Sequence, residues 1–166
     1  ITRSRGLAQA LEAHLSALPL AQDPGAKAIG VKISGCPNSC GQHHIADIGF
    51  YGSSRKVGER EVPHYVLLLG GRTREGEARF GQVVGRIPAR RVPEAVERIL
   101  KRYLEERQNG ESFQAYLDRV GAASFKPLLQ DLQEVPPYEE APEFYQDLGA
   151  EGEAFSVQLG RGECAV

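Results

Sequence analysis

The amino-acid sequence predicts an α+β domain in which a mixed β-sheet is covered by helices. Three observations support this prediction. Apolar residues recur with a helical period at the start of the chain and again from residue 93 onwards, apolar runs typical of strands lie between them, and a turn with two cysteines follows the first strand. The 166 residues suit one domain with a workable core. We therefore expect the order helix, strand, cysteine turn, three strands and helices.

The first two elements lead into the cysteine turn. Leu7, Leu11 and Leu15 follow one another at helical spacing, and Pro19 ends the run, which predicts an amphipathic helix. Residues 29–33 then alternate between apolar residues and glycine or lysine, which is the period of a half-buried strand. This strand is expected to hold the cysteine turn in place.

Three more strands are predicted after the turn. Residues 45–50 give the second strand, and the continuous apolar run at residues 62–69 indicates a third that is buried on both faces. Residues 82–87 give the fourth. The charged residues 53–61 lack a pattern and are expected to form a surface loop, and residues 73–81 a flexible connection.

Helices are predicted for the following part of the chain. Pro93 suits a first helical position, and the apolar stripe behind it ends before Gly110. A second helix follows and stops at Gly121, and residues 125–132 indicate a short third helix.

Residues 133–166 differ from the rest of the chain in composition. Prolines, glycines and acidic residues are frequent, and no apolar period runs through them, which predicts an extended acidic tail with weak internal order behind a domain at residues 1–132. Residues 155–159 could add an edge strand. Cys164 is expected to be a free terminal cysteine, with a reactive thiol or a contact to a cofactor as alternatives.

The cysteine turn is the feature with the clearest chemical character. Cys36 and Cys40 are separated by three positions, Pro37 fixes the backbone after the first, and Asn38 and Ser39 favour a turn or a helix start, so both sulfurs can face one point. If a helix starts here, its amide groups would stabilise a thiolate at Cys40. Two flanking glycines are expected to leave room for a bulky group: Gly35 and Gly41.

The residues of the turn by themselves leave three interpretations open. A zinc site would use Cys36, Cys40 and one or both of His43 and His44. The two thiols could instead be buried as small apolar side chains. An iron–sulfur cluster needs thiolate ligands, and here it would need two more from elsewhere.

A resemblance to a known family narrows this choice. The run S-G-C-P-N-S-C-G-Q-H-H-I-A-D-I-G-F-Y-G at residues 34–52 resembles the second cysteine motif of the sirohaem-containing nitrite and sulfite reductases. Three further runs are similar to segments of that family, so that the resemblance covers most of residues 1–130: I-T-R-S-R-G-L-A at 1–8, Y-V-L-L-L-G-G-R at 65–72 and R-Q-N-G-E-S-F at 107–113.

The resemblance implies a fold, a pair of cofactors and a reaction. In this family a C-x5-C pair and a later C-x3-C pair bind one 4Fe-4S cluster, so Cys36 would be its third ligand and Cys40 its fourth, bridging to the sirohaem iron. The reaction implied is the six-electron reduction of nitrite to ammonia or of sulfite to sulfide, with ferredoxin or another low-potential electron donor. The first cysteine pair would lie upstream of Ile1, so the domain is expected to be incomplete at its N-terminus and inactive without that missing part.

The resemblance also implies residues that contact the cofactors. Arg3 and Arg5 are expected to pair with sirohaem carboxylates, and Arg72 to reach one from the same sheet as the cysteine strand. No catalytic residue is assigned within the chain. The form C-P-N-S-C-G-Q is more similar to nitrite-type than to sulfite-type members. The residues expected to bind cofactors are Cys40, Arg3, Arg5, Asn38, Gln42 and Arg72, with Cys36 and Cys40 on the metal.

Composition restricts the alternatives. A formal net charge of −2 gives no sign of nucleic-acid or membrane binding, and no run resembles a signal peptide or a membrane span. The cysteine pattern and the cluster chemistry favour the cytoplasm. The chain contains no methionine, which predicts a processed chain or a fragment.

The alternative function is a stand-alone metal-binding or redox-sensing module that uses Cys36 and Cys40 without sirohaem.

Overall fold

The fold is organised around a four-stranded sheet with the strand order β1-β2-β3-β6. A computed structural model describes residues 1–74 and 76–157 of the chain. The strands are β1 (Val31–Ser34), β2 (Ile48–Val57), β3 (Arg60–Leu69), β4 (Arg72–Arg74), β5 (Glu77–Arg79) and β6 (Gln82–Pro88). The helices are α1 (Ser4–Ser16), α2 (Pro24–Lys27), α3 (Val92–Glu106) and α4 (Phe113–Val120).

The sheet is mixed, as the sequence predicted. β1 pairs with β2 in parallel, whereas β2 with β3 and β3 with β6 are antiparallel. Because a parallel pair needs a crossover, the segment between β1 and β2 has to leave the sheet and return, and the cysteine turn lies in that segment. β4 and β5 form a separate two-stranded hairpin.

β3 is buried on both faces, which confirms the prediction from its continuous apolar run. Tyr65 and Leu67 belong to the core that also contains residues of α1 and α3, and we call this side of the sheet the helical face. Val66 and Leu68 point to the opposite side, the outer face, and are 4% and 3% exposed. The core therefore lies between the sheet and the helices. The β3 residues on the outer face are also shielded from solvent.

Two segments predicted as loops contain strands. Residues 53–61 complete β2 and begin β3, which join through a tight turn with Gly58 at φ +59°. The hairpin extends beyond the core, so Arg55 and Lys56 are exposed and the apolar alternation is lost. Residues 73–81, predicted as a flexible connection, contain the hairpin of β4 and β5.

The helices after the sheet agree with prediction except for the last. α3 and α4 lie where the apolar stripes place them. Residues 125–132, predicted as one helix, instead form short 3-10 turns at Ala122–Phe125, Pro127–Leu129 and Asp131–Gln133. Pro127 has no amide proton for an α-helical hydrogen bond, which explains the interruption. Among residues 1–74 and 76–157, no helix combines the length and the apolar character needed to cross a membrane.

The segment after the helices is largely irregular and packs onto the domain. The carboxylate of Asp147 accepts the backbone N–H of Arg3 at 2.6 Å, and Leu148 is buried. The backbone carbonyl of Leu148 lies so close to Gly6 that a β-carbon there would come within 1.9 Å of it. The boundary predicted at residue 132 stays a prediction. Residues 155–157 are irregular, while 158–159 and Cys164 lie outside the described residues.

Truncating a core side chain of α3 should destabilise the whole fold. Ile99 has no exposed surface, so Ile99→Ala should lower the free energy of unfolding by about 2–5 kcal/mol through lost burial and an unfilled cavity. Lys101→Ala, an exposed position on the same helix, should stay within about 0.5 kcal/mol of the parent. Urea unfolding of the chain measures both, and equal effects would contradict this account of the core.

Candidate functional site

The cysteine turn connects the end of β1 to the start of β2. Cys36 is half-buried and Cys40 is exposed. Ser39 and Gln42 both have left-handed backbones, with φ of +61° and +57°. The chain therefore reverses direction on either side of Cys40, which presents this residue at the surface between two tight bends.

The turn is held from below by a buried hydroxyl. Ser34, the last residue of β1, accepts the backbone N–H of Gly41 on its Oγ at 3.0 Å. The same Oγ makes a 2.8 Å hydrogen bond with Nδ1 of His43. Ser34 is 3% exposed and His43 has no exposed surface, so neither bond competes with water. One side chain thus fixes both the residue after Cys40 and the 3-10 turn that follows.

The N-terminus of the chain holds the other end of the turn. The backbone N–H of Thr2 donates to the carbonyl of Gly35 at 2.9 Å, and its hydroxyl donates to the same oxygen at 3.2 Å. Because Thr2 is itself buried, this contact ties the start of α1 to the residue before Cys36.

Two expectations about the turn are corrected by the structure. No helix starts at Asn38 or Ser39, so Cys40 lies in a turn and gains no helix dipole; the next element is the 3-10 turn His43–Ile45. The flanking glycines are needed for packing rather than for room around the sulfurs. A β-carbon on Gly35 would come within 2.6 Å of the Thr2 carbonyl, and one on Gly41 within 2.2 Å of the Ile33 carbonyl.

The two histidines are hydrogen-bonded to serine side chains. His43 is bound to Ser34 in the interior, and its Nε2 has no hydrogen-bond partner among the described residues. His44 makes a 3.1 Å hydrogen bond from Nδ1 to Oγ of Ser39. Within residues 1–74 and 76–157, no three side chains of histidine, cysteine, aspartate or glutamate are grouped as ligands of one metal ion. The geometry therefore gives no support to the zinc interpretation.

Burial also decides the charge of the inner histidine. Loss of hydration lowers the pKa of His43 from 6.5 to about 4, and the adjacent His44 adds to the shift. His43 is consequently neutral near pH 7. The Ser34 oxygen accepts a hydrogen bond from the Gly41 amide, so its hydroxyl proton is available for donation. Nδ1 of the neutral His43 ring can accept that proton in a hydrogen bond.

A stack of four rings leads from the sheet to the surface beside the turn. The ring centroids of Tyr51 and His43 are 4.8 Å apart, those of His43 and His44 are 4.1 Å apart, and those of His44 and Phe80 are 5.2 Å apart. We call these residues the ring stack. Because the Ser39 hydroxyl binds His44, the ring stack and the turn form one continuous structure.

Arg3 and Arg5 both line an open cavity at the start of α1. The Arg3 guanidinium donates to the carbonyl of Gly149 at 2.7 Å and pairs with Glu153 at 3.2 Å. Arg5 is exposed and lines a cavity of about 400 Å³ with Thr2 and the first turn of the helix. Through Thr2 this cavity adjoins the residue before Cys36.

Three other residues were predicted to contact the cofactors: Arg72, Asn38 and Gln42. Arg72 is 8% exposed and is bound within the chain, at 2.7 Å from Asp118 and 3.2 Å from Glu77. Asn38 is exposed at the tip of the turn. The Gln42 side chain accepts a hydrogen bond from Nζ of Lys32 at 2.7 Å.

Sequence reasoning did not identify Ser34, Thr2 or His43 as the groups that hold the turn. One signal was available for Ser34, which is a small polar residue at the end of an apolar strand, directly before the cysteine motif. A polar side chain at such a buried strand end needs a hydrogen-bond partner, and the nearest unpaired groups are those of the following turn.

The donor set of the turn fits part of a 4Fe-4S cluster. Such a cluster is bound by four cysteine thiolates, and Cys36 and Cys40 offer two of them on one exposed turn. Beneath the turn, Ser34 is hydrogen-bonded to the Gly41 amide and the His43 ring, so the turn can keep its shape while the sulfurs bind a ligand. The assignment of Cys36 and Cys40 as ligands stays a prediction.

Comparison with known proteins gives a consistent result. A family model described as "Nitrite and sulphite reductase 4Fe-4S domain" matches residues 4–135. A sulfite reductase (ferredoxin) 1 of Mycolicibacterium paratuberculosis is 33% identical over 95 residues, which cover 55% of this chain and 17% of that protein. A sulfite reductase (NADPH) hemoprotein beta-component of Chromohalobacter salexigens is 32% identical over 111 residues, or 67% of this chain and 17% of that protein.

A solved structure supports the same fold. The structure of the Mycobacterium tuberculosis NirA protein superposes with a TM-score of 0.58 at 29% sequence identity, over 71% of this chain and 21% of that one. This agreement confirms the α+β class with a helix-covered mixed sheet. The chain spans about a sixth of the length of the curated relatives described above, with 17% of each covered.

Removing the Ser34 hydroxyl should loosen the turn. Ser34→Ala leaves the Gly41 amide and the His43 ring without their buried partner, which should cost about 1–3 kcal/mol of stability. Backbone amides of residues 35–44 should exchange hydrogen faster, as measured by mass spectrometry. Ser16→Ala, at an exposed helix end, is the control and should leave this segment unchanged. Unaltered exchange in Ser34→Ala would show that the hydroxyl does not hold the turn.

Acid should destabilise the fold through His43. An imidazole in the unfolded chain titrates near pH 6.5, whereas the pKa of folded His43 is about 4, so protons bind the unfolded chain first. The contribution of His43 to stability is therefore complete above about pH 6.5 and is lost as the pH falls towards 4. Urea unfolding across this interval should show a smaller loss for His43→Gln than for the parent.

Burial also lowers the pKa of His64, so some acid sensitivity should remain in His43→Gln. Equal loss of stability in His43→Gln and the parent would contradict the assignment of the effect to His43.

Proposed function

The chain belongs to the nitrite and sulphite reductase 4Fe-4S domain family, and from this we propose that it is the C-terminal part of a sirohaem-dependent reductase of sulfite or nitrite. The proposed reaction transfers six electrons, converting sulfite to sulfide or nitrite to ammonia. The observation that carries the proposal is the C-x3-C turn, on which Cys36 and Cys40 lie at or near the surface above the hydrogen bonds of Ser34 to Gly41 and His43.

In the complete protein, Cys36 and Cys40 would provide two of the four thiolates of the cluster. A segment outside this chain would provide the other two, and its sulfurs would approach the turn from solvent. The hydrogen bonds of Ser34 would keep the backbone of the turn in place while the two sulfurs take up the metal. Cys40, exposed between the two bends, is the better placed of the pair to reach a second cofactor.

The surroundings of Arg5 fit the carboxylates of a sirohaem. Arg5 lines a cavity at the first turn of α1, where backbone amides and a guanidinium both favour negative charge. When bound, sirohaem supplies the iron at which the anion is reduced, and the cluster supplies its electrons. Arg72 is largely buried in its pair with Asp118, so its role would be to position a neighbouring segment. Arg3 lines the same cavity as Arg5 and its pair with Glu153 is exposed, so its guanidinium would be available to a carboxylate of the cofactor.

The names of the relatives bear on the substrate and the donor. Two relatives described above are sulfite reductases, one named with ferredoxin and one with NADPH. The run C-P-N-S-C-G-Q of the turn is more similar to nitrite-type than to sulfite-type members. We therefore propose both anions as substrates to be assayed, with a low-potential donor such as ferredoxin. The need for reduced thiolates supports the cytoplasm as the compartment.

Serine variants of the two cysteines in the complete protein test this proposal. Cys36→Ser should reduce iron and acid-labile sulfide, because a serine oxygen is a poorer ligand for iron–sulfur chemistry. Cys40→Ser should abolish turnover of both anions even where some sirohaem remains, because it would break the bridge between the cofactors. Cys164→Ser is the matched control and should keep cofactors and activity.

The contents of iron, sulfide and sirohaem, and turnover with a reduced donor, are to be measured for each variant. Parent-level turnover in Cys40→Ser would overturn the bridging role. Metal analysis of the isolated chain distinguishes the proposal from the alternative function. A stand-alone metal-binding or redox module would bind metal through Cys36 and Cys40 without the upstream part. Under our proposal, the isolated chain should hold no complete cluster.

A further inference from the structure

We infer that the exposed end of the ring stack, formed by His44 and Phe80, is the docking surface for the polypeptide segment that supplies the other two thiolates of the cluster. The inference rests on the proposed function and adds to it the place where the two parts of the protein meet. It is carried by the geometry of the ring stack, by the exposure of Phe80 and by a cavity beside it.

Phe80 is an unusual surface residue. Its exposed fraction is 71%, although it is a large aromatic side chain that would normally be buried. Val83 lies three positions after Phe80, on the outer face of the sheet, and its exposed fraction is 55%. Aromatic residues are enriched in the centres of contacts between polypeptides, so the exposed Phe80 ring is a candidate centre of such a contact.

The position of Phe80 is fixed rather than left to solvent. Its ring lies 5.2 Å from that of His44, and the backbone N–H of Gly81 donates to the His44 carbonyl at 2.7 Å. His44 in turn is bound to Ser39, the residue before Cys40. A segment that packed on Phe80 would therefore be positioned directly beside the turn.

A cavity next to Phe80 can take a side chain of that segment. It has a volume of about 170 Å³ and is lined by apolar groups of Leu69, Leu117 and Ala122, with Arg79 and Asp118 among its other residues. Arg79 and Asp118 are paired with each other, so the charges at this cavity are satisfied within the chain. The lining is mixed and more polar than apolar, so it fits a side chain of the docking segment that combines an apolar stem with a polar end.

The ring geometry favours a polypeptide over a flat macrocycle. The rings of His44 and Phe80 at the exposed end are inclined to one another by 41°, so together they do not offer one plane for face-to-face packing. Two further thiolates must also reach the turn, and a segment that carries them has to lie against the neighbouring surface. Docking on His44 and Phe80 would meet both requirements with one segment.

Site-specific photocrosslinking in the complete protein tests the inference. A benzophenone amino acid at position 80 should form a crosslink to a segment that contains a cysteine pair, identified by mass spectrometry of the digested protein. The same probe at Glu105, which is exposed on α3 at the helical face, is the control and should not reach that segment. A crosslink from position 80 to a second copy of this chain, to any other segment, or to nothing would overturn the inference.

A second measurement uses the stability of the bound cluster. Phe80→Ala should increase the rate at which a chelator removes iron by about tenfold, because truncating an aromatic side chain at the centre of a contact raises the undocked population by about that factor. Tyr138→Ala is the aromatic control, since Tyr138 stacks with Arg60 at the far end of β3. An unchanged rate in Phe80→Ala would count against docking at this surface.

The two experiments also separate this inference from the proposed function. If the complete protein contains no cluster, the proposed function fails, whatever position 80 contacts. If the cluster is present and bound through Cys36 and Cys40, but position 80 crosslinks elsewhere, only the docking inference fails.

Discussion

The hydroxyl of Ser34 is the group on which the geometry of the cysteine turn depends. It lies at the end of a strand, in the interior, and it binds an amide on one side and an imidazole on the other. Buried polar groups of this kind are costly when unpaired. Their hydrogen bonds therefore hold the end of β1, the residue after Cys40 and the ring of His43 in one arrangement. The turn gains a rigid base while its two sulfurs stay at or near the surface.

The sheet supports this base through the strand that is buried on both faces. β3 packs on the helical face through Tyr65 and Leu67, and on the outer face through Val66 and Leu68. β2 is paired with β3 along its whole length, and it carries Tyr51 of the ring stack. The position of the cysteine turn relative to the ring stack is thus set by a strand pair that cannot shift without exposing the core.

The arginines illustrate how a cofactor site competes with the needs of the fold. Arg72 and Arg79 share the carboxylate of Asp118, and Arg3 ties the chain start to the segment around Gly149. The Arg72 guanidinium is paired and largely buried, so it is expensive to release. The pairs of Arg3 with Glu153 and of Arg79 with Asp118 are exposed and cost much less to break. Arg5, exposed at the start of α1, carries no such cost.

The sequence by itself determined the features that depend on neighbouring residues. The periods of α1, α3 and β3 follow from local apolar spacing, and the cysteine motif identified the turn and its family. Tertiary structure decided what depends on distant residues. The strand character of residues 53–61 comes from pairing beyond the core, and Arg72 is bound by Asp118, which lies 46 positions further along the chain. Likewise the roles of Ser34 and His43 arise because a parallel crossover folds the turn back over the strand end, a contact that no local period encodes.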